Sequence, residues 1–140
     1  MRNSAASAAI TLGLGCDRGT SLATLREAVT AALQQAGLRM DQVVAAGSIT
    51  IKSDEAGLLA LAAEQGWTLQ FFAPEVLAAV PVPNPSETVR HYTGTPSVSE
   101  AACLLAAGPN TPMTALIVEK FRHRGLDGRH ATVSIARKTP

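Results

Sequence analysis

The chain has 140 residues, enough for one domain with a buried core, and its 46% apolar and 16% charged content marks it as globular rather than disordered. A net charge of +1 gives no global attraction to nucleic acid, and 4% aromatic residues leave nothing on which to stack bases. Two cysteines, Cys16 and Cys103, do not make a disulfide scaffold and point to a reducing compartment, while no run approaches the ~18 apolar residues of a membrane span.

Residues 1–7 read as a loose tail and residues 8–138 as one domain. Arg2, the run AASAAITLGLG and Cys16 have the order of a bacterial lipoprotein signal, but the apolar core is short and Gly13 stands where leucine is usual. The better reading is a buried first strand, Ala8 to Gly15, in a cytoplasmic protein. Leu22, Leu25, Val29, Ala32, Leu33 and Ala36 recur at three- and four-residue spacing, which predicts a helix from Ser21 to Ala36, capped by Thr20 or Ser21 and ended by Gly37. A second strand lies within residues 43–51. Asp54 and Glu55 are expected in the acidic first turn of a second helix that Gly66 ends.

Trp67 to Phe72 reads as a third strand, and Pro74 suits the first turn of a short helix. Asn84-Pro85-Ser86-Glu87 and Ser97-Val98-Ser99-Glu100 each have the pattern that opens a helix, the first running to Tyr92 and the second to Ala107. GPNTP (108–112) breaks the chain. Thr114 to Glu119 and Ala131 to Ala136 form two more strands, and the stretch FRHRGLDGRH between them is too short for a crossover helix, so an antiparallel hairpin with a basic loop is expected. The whole is an α/β domain, three-layer α/β/α, with a mixed, mainly parallel sheet of about five strands ending in that hairpin.

The stretch TLGLGCDRGTS (11–21) admits several chemistries. A dinucleotide fingerprint would need G-x-G-x-x-G, whereas Gly13, Gly15 and Gly19 are spaced one residue too far, and no acidic residue ends the second strand. Cys16 beside Arg18 at a helix start has the surroundings of an ionised thiol, but no histidine is tied to it as a base. Cysteines and histidines show no paired zinc spacing, so no metal and no cofactor is expected. An anion cradle fits best: backbone amides left free at the helix start, with Arg18 for a bidentate contact. A parallel sheet gathers residues 13–20, 52–55 and 72–75 on the edge at the carboxyl ends of its strands.

Four segments in order resemble one family. GLGCDRGTS is similar to the G-x-G-C-x-R-G-T opening of the CobE family and of the CbiG C-terminal domain. SITIKSDEAGLLALAAEQG resembles its S-I-x-x-K-x-D-E segment, VPNPSETVRHYTGTPSVSEAACLLAAG its V-P-N-P-S…S-V-x-E-A-A segment, and IVEKFRHRGLDGRHATVSIAR its closing K-x-K…V-T-V-A-I-A-R. Lys120 matches the first closing lysine, Arg122 replaces the second, and the hairpin between them and the last strand is longer than the family pattern.

The resemblance implies a role in cobalamin biosynthesis. There, CbiG opens a δ-lactone on a cobalt-precorrin ring, and free-standing CobE corresponds to its C-terminal domain; the length of the chain suggests the stand-alone form. Corrin precursors are broad rings with apolar faces and peripheral carboxylates, which basic residues from 120 to 130 would attract. The expectation is a protein that binds or carries such an intermediate through Gly13, Gly15, Cys16, Arg18, Gly19, Lys52, Ser97 and Lys120. One alternative is a hydrolase of the ring lactone using Cys16, Glu55 or Glu100. The other is a non-catalytic partner of a pathway enzyme, with neither nucleic acid nor membrane as partner.

Overall fold

The first apolar run forms strand β1 (Ile10–Cys16). In the computed structural model, which describes residues 8–83 and 98–138, β1 is the central strand of a five-stranded sheet. Helix α1 (Leu22–Ala36) follows. Its N-cap is Ser21, whose hydroxyl accepts from the Thr24 amide, and Gly37 closes it in the left-handed conformation at φ 72°, where glycine carries no Cβ penalty. A 3-10 turn leads to β2 (Val43–Ile49), and a second one, Thr50–Lys52, leads to α2 (Ala56–Gln65). Then come β3 (Thr68–Phe72), the short α3 (Pro74–Ala78) with proline in its first turn, α4 (Val98–Ala107), β4 (Leu116–Arg124) and β5 (His130–Arg137).

The strand order is β3-β2-β1-β5-β4. β1 pairs in parallel with β2, and β2 with β3, while β5 runs antiparallel to both β1 and β4. Four strands therefore share one direction and β5 alone opposes them, which is the mixed, mainly parallel sheet that the alternation of strands and helices predicts. The hairpin is not appended at the far side: β5 is inserted against β1, and this brings the hairpin tip to the turn that follows β1.

The two faces of the sheet are packed differently. Ile10, Leu12 and Leu14 of β1 and Val133 and Ile135 of β5 meet Leu25, Val29 and Leu33 of α1 in the main core, where each fully buried aliphatic side chain contributes roughly 1.5–3 kcal/mol. The other face is lined with small residues. A Cβ on Gly13 would lie 1.7 Å from the Ser99 carbonyl oxygen, and one on Gly47 would lie 2.8 Å from that of Ala102, so α4 rests almost on the sheet backbone. Thr11 Oγ1 donates to the Cys103 carbonyl (2.8 Å) across this contact. Ser99 lies over Gly13 and Cys103 over Thr11, so α4 runs opposite to β1 and its N-terminus faces the edge where β1 ends.

Two expectations change. The basic hairpin loop is mostly strand: β4 continues to Arg124 and β5 starts at His130, because Phe121 and His123 alternate with Arg122 and Arg124 and turn toward the α1 side. Asp54 and Glu55 precede α2 instead of entering its first turn; Glu55 is the N-cap residue but makes no cap hydrogen bond with its side chain. The predicted helix at 84–92 and Ser97 lie outside the described residues.

Candidate functional site

The turn after β1 is closed by the chain's own carboxylates. Glu55, 3% exposed, accepts from Arg18 Nη1 with one oxygen and from the Gly19 amide (3.1 Å) with the other. Arg18 Nη1 also donates to Asp54 Oδ1 at 2.7 Å, and Nη2 reaches the Ile51 carbonyl at 3.3 Å. Gly19 adopts φ 79°, a left-handed turn position. Residues 13–20 and 52–55 thus do come together, as the parallel topology requires. Glu75 of the third loop borders a different space, described below.

The hairpin tip supplies the remaining partners. Asp127 accepts from the Ser21 amide (3.0 Å), from Thr24 Oγ1 (2.9 Å) and from the Arg129 amide (3.0 Å). These hydrogen bonds hold its carboxyl at about 2, below the usual carboxylate range. Asp17 accepts from the His130 amide (2.8 Å) and lies 3.1 Å from His130 Nδ1. Its own amide donates to the His130 carbonyl, and that of Thr20 to the Asp17 carbonyl. The amides at 17, 19, 20, 21 and 24 are therefore occupied within the chain, which corrects the expectation of a ready-made cradle of free donors.

Asp127 and its role are absent from the sequence reading. Asp127-Gly128 signals a turn, but nothing local to it points to Ser21, which is reached only through the β1–β5 pairing.

The other predicted residues are dispersed around this edge. Gly13 is buried beneath α4, so its role in this geometry is close packing, whereas Gly15 pairs with Thr132 and meets no atom closer than 3.9 Å at its Cβ position. Cys16 is half-buried on the α1 side. Burial pushes its thiol up, against the lowering effect of Lys52. The Arg18 guanidinium that was expected to ionise it is turned to Asp54 and Glu55. Glu100 is fully buried in α4.

A cleft of about 670 Å³ opens at the other end of α4, lined by residues such as Glu75, Val80, Leu105 and Met113. It contains none of the predicted site residues. Among the described residues no group of three histidine, cysteine or carboxylate side chains is placed to hold a metal ion, and no helix is long and apolar enough to cross a membrane.

The lysines and arginines among the described residues fall into two sets. Arg18, Arg26 and Arg39 are paired with carboxylates, and Arg137 and Lys138 donate to backbone carbonyls. The side chains of Lys52, Lys120, Arg122, Arg124 and Arg129 make no hydrogen bond or ion pair among the described residues. Pairing of Arg122 with Thr132 and of Arg124 with His130 sets both arginines on the α4 side of the hairpin, the face to which Gly15 belongs. Lys120 falls at the irregularity between Val118 and Phe121. One edge of the sheet thus carries an internally neutralised turn beside a strip of uncompensated positive charge.

Comparison with known proteins gives this edge its context. The family described as Cobalamin synthesis G C-terminus matches residues 10–136. The chain is 37% identical over 102 residues to the cobalt-precorrin-5A hydrolase of Priestia megaterium, a match covering 73% of this chain and 27% of that relative. It is 32% identical over 133 residues to Protein CobE of Sinorhizobium sp, covering 94% of this chain and 81% of the relative. The crystal structure of CobE, a protein from the cobalamin (vitamin B12) biosynthetic pathway, superposes with a TM-score of 0.74 at 30% identity, over 93% of this chain and 90% of that one. The chain thus spans only about a quarter of the hydrolase relative and most of CobE. A family match running from β1 to β5, with a CobE relative aligned along most of both chains, places this protein in the CbiG C-terminal and CobE family of cobalamin biosynthesis.

Proposed function

We infer that this protein binds a corrin-ring intermediate of cobalamin synthesis, a polycarboxylate with apolar faces, at the edge formed by the β1 turn, Lys52 and the β4–β5 hairpin. The observation that carries this is the strip of cations without a partner among the described residues: Arg122 and Arg124 on one face of the hairpin, with Lys120 and Arg129 on the same hairpin and Lys52 at the same edge of the sheet. Cations that have no internal partner gain most from an external carboxylate, because no existing contact is lost when it arrives. Several separated charges suit a ring with carboxylates around its rim better than they suit a single small anion.

Hydrolysis of a ring lactone gains less support from the geometry. The Cys16 thiol is pushed up by burial, which opposes the thiolate that a nucleophile requires. The Glu55 oxygens are held by Arg18 and Gly19, and Glu100 is covered by α4 and the sheet. Carrying or presenting the intermediate in the cytoplasm is the role that asks least of these residues.

Titration of the purified protein with hydrogenobyrinic acid, followed by the absorbance of the ring, tests this. A saturable spectral shift at tens of micromolar that weakens with added salt is expected. No shift under those conditions contradicts the proposal.

A further inference from the structure

The Arg18 pairs differ in a way that the charge count hides. Glu55 is buried, uses both oxygens, and ties the β1 turn to the start of α2. Asp54 makes one contact with Arg18, at 2.7 Å, and its side chain is 74% exposed. The Arg18 side chain is itself 58% exposed. Both carboxylates fall on the same Nη1, Nη2 reaches only the Ile51 carbonyl at 3.3 Å, and Nε has no partner among the described residues. The guanidinium is therefore held mainly through Nη1, while its Nε–H and one Nη2–H stay open among the described residues. A planar guanidinium offers five donors, so an incoming carboxylate can be received once the exposed aspartate gives way, while Glu55 keeps the arginine in place.

Resting on the function proposed above, we propose that Asp54 is an internal stand-in for a carboxylate of the ligand. It occupies Arg18 in the free protein, is displaced by a ring carboxylate on binding, and so limits affinity and selects against ligands with a single weak carboxylate. Glu55 is the positioning residue that keeps Arg18 at the edge during the exchange. An exposed pair of this kind is worth little in the free protein, so its displacement is a small but measurable tax on binding. Lys52, two residues before Asp54, adds positive potential at the same place and keeps the Asp54 carboxyl ionised alongside Arg18.

The test is titration of hydrogenobyrinic acid into wild type, Asp54→Asn, Arg18→Ala and the double variant. Asp41→Asn serves as the charge-matched control, because Asp41 lies before β2, at the opposite edge of the sheet, and pairs with Arg39. Asp54→Asn is expected to bind about two- to fivefold more tightly. In the Arg18→Ala background the same change should have no effect, and Asp41→Asn should leave affinity as in wild type. Tightening in Asp54→Asn that persists without Arg18, or that Asp41→Asn reproduces, reduces the effect to net charge and overturns the proposal. Wild-type binding with an unchanged Asp54→Asn variant overturns the stand-in role and leaves the binding function intact. Binding by Asp54→Asn with none by wild type exceeds what one exposed ion pair can mask and overturns the stand-in role as stated together with the proposed function, and absence of binding in every variant overturns both proposals as well.

Discussion

The β1 turn and the β4–β5 hairpin sit side by side on one edge of the sheet, and both carry arginine, yet they hold their arginines differently. At the turn, Arg18 meets Asp54 and Glu55, and the amides of Gly19 and Ser21 are taken by Glu55 and Asp127. On the hairpin, Arg122, Arg124 and Arg129 have no partner for their side chains among the described residues. The difference teaches that a glycine-rich turn with a cation can be a fastening as readily as a receptor. The free charge available to a ligand is found by asking which cations lack a partner.

The largest expected effect concerns the approach to the turn. Gly13→Ala would press a methyl group into the backbone of α4, 1.7 Å from the Ser99 oxygen and 2.8 Å from the Cys103 nitrogen. A loss of about 3 kcal/mol or more in urea denaturation is expected. Gly15→Ala, with only Thr132 near, should stay within about 0.5 kcal/mol. Equal losses at the two glycines would mean that α4 does not rest on β1 as described.

Next in size is the clasp itself. Glu55→Ala removes a buried acceptor from Arg18 and strands the Gly19 amide, so a loss of about 1.5–3 kcal/mol in stability is expected. Replacing Arg122 and Arg124 together by alanine should leave the urea midpoint nearly unchanged and weaken hydrogenobyrinic acid binding about tenfold. If the hairpin pair proves as costly to folding as Glu55, the division between fastened and available charge fails.

The smallest effect is on acid stability. The Asp127 carboxyl sits at about 2 when folded, against about 3.9 for an unperturbed aspartate. A lowered folded value means that its contribution is complete above the unfolded value and is lost as pH falls from about 4 toward 2. The urea midpoint of wild type should fall across that window, and that of Asp127→Asn should fall less. An identical slope in the two proteins would show that the hairpin tip is not held to α1 through this side chain.

Much of the fold is legible because its signals are local. The spacing of Leu25, Val29 and Leu33, with Ser21 before and Gly37 after, fixes α1 to within a residue. The short interval before Ala131 dictates an antiparallel partner for β4. The site is less legible because its contacts are distant in sequence. Ser21 and Asp127 are joined only once β5 lies against β1, and Arg18 and Glu55 only once two parallel loops share an edge. Gly13 reads as part of the cradle for a related reason: a glycine near the end of a strand serves a turn or a close approach, and only its contact with Ser99 and Cys103 of α4 decides for the second. The basic hairpin reads as a loop in the sequence because its arginines outweigh Phe121 and His123, whose alternation is the strand signal.

The central claim is that the hairpin cations, which have no partner among the described residues, contribute more to binding the ligand's carboxylates than the glycine turn does. It is tested most directly by titrating hydrogenobyrinic acid into the Arg122→Ala/Arg124→Ala double variant beside Arg18→Ala. The account predicts a loss of about tenfold for the hairpin pair and a much smaller loss for Arg18, whose contact with ligand is offset by the aspartate it gives up. Undiminished binding by the hairpin variant, with the whole loss at Arg18, would contradict it.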